Sequence, residues 1–352
     1  MGKGFAITSD LNLGKMLLAG YARHLVEPST NGVNGHDPSS KKRKLSKLPR
    51  IRIAAITNDT VATFASLAYA VKAAPNSRVA MGLIVGTGTN ATVPMKIGSL
   101  HPAKVKQLAN PDEVETVVIN TEWTINGTDK PLVDLKIKTK WDLELDRNSE
   151  APGFQPFEYM TAGRYLGEIV RLAFVETVSE EVKESAIPPS LHTKNALPTR
   201  YLSEVVARSD LERLCIALEL QYPSESNVFW TATRTKLIQN IARAVQQRSS
   251  ALIAAASIGL LDCVGDIRID REEADLAKIG QEALPLEELV VAYAGGTISQ
   301  YPGWLETCQK WIDILAKKAS RANNHKQIML KEALDGGIIG AGVLAGMTDK
   351  IA

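Results

Sequence analysis

Ile51-Arg52-Ile53-Ala54-Ala55-Ile56-Thr57-Asn58-Asp59-Thr60 is the stretch whose reading decides the fold. Its β-branched apolar half reads as a buried strand over residues 51–56. A helical pattern follows at once through Val61, Phe64, Ala65, Leu67 and Ala68, to about residue 74. Asp59 therefore stands where a strand hands over to a helix. One reading makes it an N-cap, accepting hydrogen bonds from the free N–H groups of the first helical turn. The other makes it a reactive carboxylate at the carboxyl end of a strand, the edge where α/β sheets bind ligands.

Working outward, the 352 residues suffice for one large domain or two ordinary ones, with ample apolar content for a core. A net charge of +2 implies no general attraction to nucleic acid or to an acidic membrane. The three cysteines, Cys215, Cys263 and Cys308, are far apart and lack metal-ligand spacing, which points to a reducing compartment. No apolar run is long enough to span a bilayer, and no signal-peptide core opens the chain. The cytoplasm is the expected location.

Residues 1–25 read as a loop and a helix carrying Leu13, Met16, Leu17 and Tyr21. Residues 26–50 form an insert of loop composition that ends in Lys41-Lys42-Arg43-Lys44 and Arg50. Such a run is a solvated loop or an import signal, which adds an import receptor as a partner and the nucleus as a second location. Beyond it, apolar strands are expected at 79–85, 116–120, 288–294 and 327–331. A long amphipathic helix is expected over 158–178, another from about Thr231 to Cys263, a helix from Tyr301, and a final helix after a Gly-rich turn over residues 335–340. Gly86-Thr87-Gly88 follows a strand. It reads either as a phosphate-cradling turn of backbone N–H groups or as a hairpin turn with residues 91–93 returning. Asn120 and Glu122 are again polar groups at a strand's end. The sum is an α/β fold, a mixed sheet flanked by helices with a ligand crevice at one edge.

Taken together, Asn58-Asp59-Thr60-Val61-Ala62-Thr63, Gly82 to Asn90, Ile119-Asn120-Thr121-Glu122-Trp123, Gln155 with Glu158, and Tyr165 to Arg171 resemble, in order, the large (C-terminal) lobe of the hexokinase family. The resemblance implies the actin-like ATPase (ribonuclease-H-like) fold over residues 51–352, with 1–25 as its edge loop and helix. It implies ATP-dependent phosphorylation of a hexose such as glucose at the 6-hydroxyl, with Mg2+ and with Asp59 as general base. Lys3, Asn58, Asn90, Glu122, Gln155 and Glu158 would hold the sugar. Gly86, Thr87, Gly88, Gly163, Arg164, Thr199, Ser203, Gly295 and Gly296 would meet the nucleotide. Neither a membrane nor direct nucleic-acid binding is implied.

The sequence also departs from the family. The family's small lobe lies outside this sequence. Its acidic-Gly-Ser/Thr turn is Ala294-Gly295-Gly296 here, and Ile338-Ile339 interrupt its Gly-rich last turn. Thr124 to Thr128 replace its Gly-Ala-Phe-Gly-Asp stretch. Little glucose phosphorylation is therefore expected of the chain alone, and a non-catalytic sugar-sensing or regulatory protein, with a nuclear location, is the alternative.

Overall fold

A computed structural model describes residues 12–24, 49–71, 76–108, 110–125, 128–225, 229–270 and 285–348. Lys3 and residues 41–48 of the basic run lie outside the described residues. Contacts divide the chain into two units, Met1–Thr57 with Leu344–Ala352, and Asn58–Val343.

In the first unit, α1 (Leu13–Ala22) is capped by Asn12, whose side chain accepts from the Lys15 N–H. The Tyr21 hydroxyl donates to the Pro49 carbonyl at 2.6 Å. The strand expected over 51–56 is not among the described strands, and Ile51 and Ile56 are exposed.

In the second unit α2 (Asp59–Val71) precedes a sheet of five described strands, β1 (Ser77–Val85), β2 (Thr89–Lys96), β3 (Thr116–Asn120), β4 (Glu287–Ala294) and β5 (Lys326–Glu332). Their spatial order is β3-β2-β1-β4-β5. β1, β2 and β3 are antiparallel in sequence, while β4 and β5 run parallel to β1. The carboxyl ends of β1, β3 and β4 and the amino end of β2 therefore share one edge of the sheet.

The expected long helix over 158–178 is two helices, α3 (Pro156–Thr161) and α4 (Gly163–Ser179). Ala162 between them is extended (φ −91°, ψ 146°), which lets the Gly163 N–H reach the Gly86 carbonyl at 2.8 Å. α5 (Ala232–Cys263) is the long helix as expected, capped by Thr231. Next come α6 (Gly296–Gln300), α7 (Trp304–Ala319) and α8 (Gly336–Thr348). α4, α5 and α7 form the main core with one face of the sheet, where Trp304 is fully buried and its indole N–H donates to the Ser249 hydroxyl at 3.1 Å. On the other face Phe64, Leu67 and Ala68 of α2 cover Val79, Val290 and Ala292.

Glycines set the position of α2. A Cβ on Gly82 of β1 would lie 2.6 Å from the Thr60 carbonyl oxygen and 2.9 Å from the Phe64 Cβ. On the far side, a Cβ on Gly340 of α8 would lie 1.8 Å from the Ala62 carbonyl oxygen. Both are backbone-to-backbone approaches that a side chain would block. Overpacking of this kind costs about 1–3 kcal/mol. Gly340→Ala is expected to lower the melting temperature by several degrees in calorimetry, whereas Gly342→Ala, whose Cβ would meet no atom within 4 Å, leaves it unchanged or raises it. Equal melting of the two variants would remove the close approach from the account.

Candidate functional site at the strand-end edge

Asn58, not Asp59, caps α2. The Asn58 carbonyl accepts from the Ala62 N–H at 3.0 Å, and its side-chain oxygen accepts from the Thr60 N–H at 2.9 Å. With its neighbour in the cap role, Asp59 occupies the first helical position with an exposed side chain. Its Oδ1 accepts from the Thr60 N–H at 2.9 Å, and its Oδ2 takes no hydrogen bond from a described residue. A carboxylate in the first turn is favourably placed against the helix dipole.

Thr60, fully buried, ties this helix start to the sheet. Its hydroxyl is hydrogen-bonded to the Asn58 side-chain oxygen, receives the Thr92 hydroxyl at 2.9 Å, and lies 3.5 Å from the Asn90 side-chain nitrogen. Asn90 Nδ2 donates to Asn120 Oδ1 at 2.7 Å and to Glu122 Oε1 at 3.3 Å, and Asn120 Nδ2 donates to the same Glu122 oxygen at 2.9 Å. Glu122 stands two residues past β3 with φ +46°, a left-handed conformation that costs a non-glycine residue about 1 kcal/mol or more. Across the hairpin from it, the buried Glu158 of α3 accepts from the Thr89 N–H at 3.1 Å. Glu158 therefore clamps a helix to the hairpin as well as lying near a helix start. Gln155 is buried at the cap position of α3, and its side chain does not cap the helix.

Gly86-Thr87-Gly88 is the turn of the β1–β2 hairpin, so residues 91–93 do return as a strand. The Gly86 N–H closes the turn on the Gly88 carbonyl at 2.9 Å. The N–H groups of Thr87 and Gly88 donate to no described residue, which leaves two backbone donors at the tip of the turn. The Gly86 carbonyl accepts from Gly163 at the start of α4 and, at 3.0 Å, from the Thr297 hydroxyl in α6. The approach is tight. A Cβ on Gly163 would lie 2.3 Å from the Thr297 hydroxyl, and one on Gly295 (φ +121°) would lie 2.4 Å from the Val85 carbonyl oxygen. Gly86, Gly163, Gly295 and Gly296 are thus brought together.

Other expected nucleotide residues are engaged locally. The Arg164 N–H donates to the Thr87 carbonyl, but its guanidinium pairs with Glu150 at 2.9 Å. The Thr199 hydroxyl accepts from the Gly167 N–H at 2.8 Å, and Ser203 donates to the Arg200 carbonyl. Burial and the charge of Glu158 push the Tyr165 phenol up to about 12 against the pull of Arg164, so the phenol is neutral at ordinary pH. Thr60, Thr92 and Thr297 were not expected from the sequence. A hydroxyl one position beyond Gly296 was the available sign for Thr297. A cavity of about 390 Å³ lies at the opposite edge, at the amino ends of β1 and β4. It contains none of these residues, and its Arg78 is already paired with Asp266 at 2.6 Å.

Comparison with known proteins gives one family. The family model described as hexokinase matches residues 80–347. Hexokinase of Schistosoma mansoni is 35% identical over 184 residues, which is 50% of this chain and 37% of that protein. Chloroplastic hexokinase-2 of Nicotiana tabacum is 28% identical over 303 residues, 85% of this chain and 54% of that protein. Among solved structures, a hexokinase from Schistosoma mansoni complexed with glucose superposes with a TM-score of 0.61 at 27% identity, covering 83% of this chain and 57% of that one. The chain thus spans roughly a third to about half of the length of these relatives.

Replacing Thr60 by Val keeps the shape and removes the hydroxyl that joins Asn58, Asn90 and Thr92. Leaving the buried Thr92 hydroxyl without its partner costs about 1–3 kcal/mol. Thr60→Val is expected to melt several degrees lower in calorimetry than Thr60→Ser, which keeps the oxygen. If both melt together, the hydroxyl does not tie α2 to β2.

Proposed function

The chain belongs to the hexokinase family, and from that premise we propose that its strand-end edge binds a hexose such as glucose and directs the sugar's 6-hydroxyl at the γ-phosphorus of ATP. The hydroxyl oxygen forms a bond to that phosphorus, the bond from phosphorus to the bridging oxygen of the leaving ADP breaks, and the hydroxyl proton passes to Asp59. The observation that carries this reading is the cap assignment. Asn58 takes the structural role, so Oδ2 of the Asp59 carboxylate takes no hydrogen bond from a described residue. Asn58, Asn90, Glu122, Gln155 and Glu158 would receive the sugar hydroxyls. Buried polar groups, as Gln155 and Glu158 are, discriminate strongly against analogues that lack the hydroxyl.

The two free N–H groups of Thr87 and Gly88 suit a phosphate, since consecutive backbone donors in a turn form an anion-binding concavity. Mg2+ fits as a passenger on the nucleotide. Among the described residues no three carboxylate, imidazole or thiolate side chains are grouped to cage a metal, and Mg2+ typically takes phosphate oxygens and water with one or two carboxylates. When bound it would neutralise phosphate charge.

A second reading, sugar binding without turnover, is favoured by Ile338. Its side chain is 78% exposed in the first turn of α8, where the family pattern has glycine. A coupled ATP–glucose assay together with glucose titration calorimetry separates the two. The kinase reading expects glucose binding, measurable turnover, and an Asp59→Asn variant that binds glucose within about threefold but loses about 10²–10⁴-fold in rate, the usual contribution of a positioned general base. Binding with no turnover in the parent chain selects the second reading. No glucose binding, or an Asp59→Asn variant as fast as the parent, overturns the proposal.

A further inference from the structure

We infer that Asn120 is a positioning residue, which sets the orientation of Asn90 and Glu122 and so decides how strictly the site reads one sugar hydroxyl. The inference rests on the hexose-binding reading above. Asn120 is the last residue of β3 and lies opposite Thr92 of β2 in the antiparallel register. From there its two amide atoms do opposite jobs. Oδ1 accepts from Asn90 Nδ2 at 2.7 Å, and Nδ2 donates to Glu122 Oε1 at 2.9 Å.

The chemistry requires an amide at this position. A group that accepts from one neighbour and donates to the other, both at normal hydrogen-bond length, cannot be a carboxylate, which only accepts, nor an alkyl side chain. The Asn90 side-chain oxygen is held by the Ala91 N–H at 2.8 Å, so its Nδ2 faces Asn120, Glu122 and Thr60. Glu122 Oε1 in turn receives two amide N–H groups, from Asn90 and Asn120. Its Oε2 receives none from the described residues and is the oxygen left to accept a substrate hydroxyl. Because the Glu122 backbone is held at φ +46°, fixing the carboxylate falls to these side-chain bonds.

Asn120 itself is exposed on the edge strand, where a polar residue is otherwise replaceable. Its removal is therefore expected to leave the fold intact and to act on the sugar. The test is calorimetric titration of the 352-residue chain and its Asn120→Ala and Asn120→Asp variants with glucose and with each singly deoxygenated glucose. For Asn120→Ala a tenfold loss of glucose affinity is expected with the melting temperature unchanged. The loss should vanish for the one deoxy sugar that lacks the hydroxyl read by Glu122 and persist for the others, the non-additivity that marks groups acting together. Asn120→Asp, which sets a carboxylate oxygen against Glu122, should lose more than Asn120→Ala. An equal loss for every deoxy sugar, or no loss for glucose, overturns the inference.

Failure of the parent chain to bind glucose would instead sink the hexose reading. The positioning claim is then decided on the sugar-free chain by NMR. A shift of the Asn90 side-chain amide signals in Asn120→Ala supports it, and unchanged signals overturn it.

Discussion

The backbone of α2 lies against the backbone of its neighbours on two sides, and everything at the strand-end edge depends on that closeness. Gly82 in β1 admits the Thr60 carbonyl, and Gly340 in α8 admits the Ala62 carbonyl. A methyl group at either place would push the helix outward by more than the tolerance of a hydrogen bond. Thr60 could not then reach Thr92 at 2.9 Å or hold the Asn58 side chain. Packing of main chain on main chain thus sets the start of α2 to the accuracy that a polar network needs.

The polar network fixes direction within that frame. Its members are mostly neutral amides and hydroxyls, and each is both donor and acceptor. That lets Asn58, Thr60, Asn90, Thr92 and Asn120 orient one another without burying unpaired charge, which would be costly. The carboxylates sit at the ends of the chains of hydrogen bonds. Glu122 terminates one through Oε1, and Glu158 takes the Thr89 N–H on the other side of the hairpin. At Glu122 both of the described amide donors meet the same oxygen, Oε1.

The sequence made the periodic elements legible. β1, β3, β4 and β5 and helix α5 fall within a few residues of where apolar patterning and turn residues set them, because those signals are local. The exceptions share a cause. Residues 51–56 have a strand's composition but carry no strand assignment. Ala162 divides one helical pattern into two because Gly163 must meet the Gly86 carbonyl, a contact between residues far apart in the chain. The choice between Asn58 and Asp59 as cap is equally invisible, since both residues favour that position and only three-dimensional placement assigns it. Asn58, Asn90, Glu122, Gln155 and Glu158 were singled out through ordered motifs. The Thr60–Thr92 link and Thr297 were not, because a threonine in a helix or strand carries no local mark of what its hydroxyl reaches.

The same long-range logic separates the two halves of the edge. Around Asn90 and Glu122, side chains converge through hydrogen bonds. On the glycine side, main chain converges. The Gly86 carbonyl is a junction that receives the first N–H of α4 and the Thr297 hydroxyl of α6, so the hairpin is bonded to the starts of two helices far apart in the chain. That bonding holds the turn while the N–H groups of Thr87 and Gly88 donate to no described residue. Substitutions on the two halves should therefore differ in kind. Among the amides and carboxylates a changed side chain alters the hydrogen-bond network. On the glycine side any Cβ alters whether the strand end, the hairpin and two helices can meet at all, which is why Gly163 and Gly295 admit no replacement while Ile338, standing out into solvent, is tolerated by the fold.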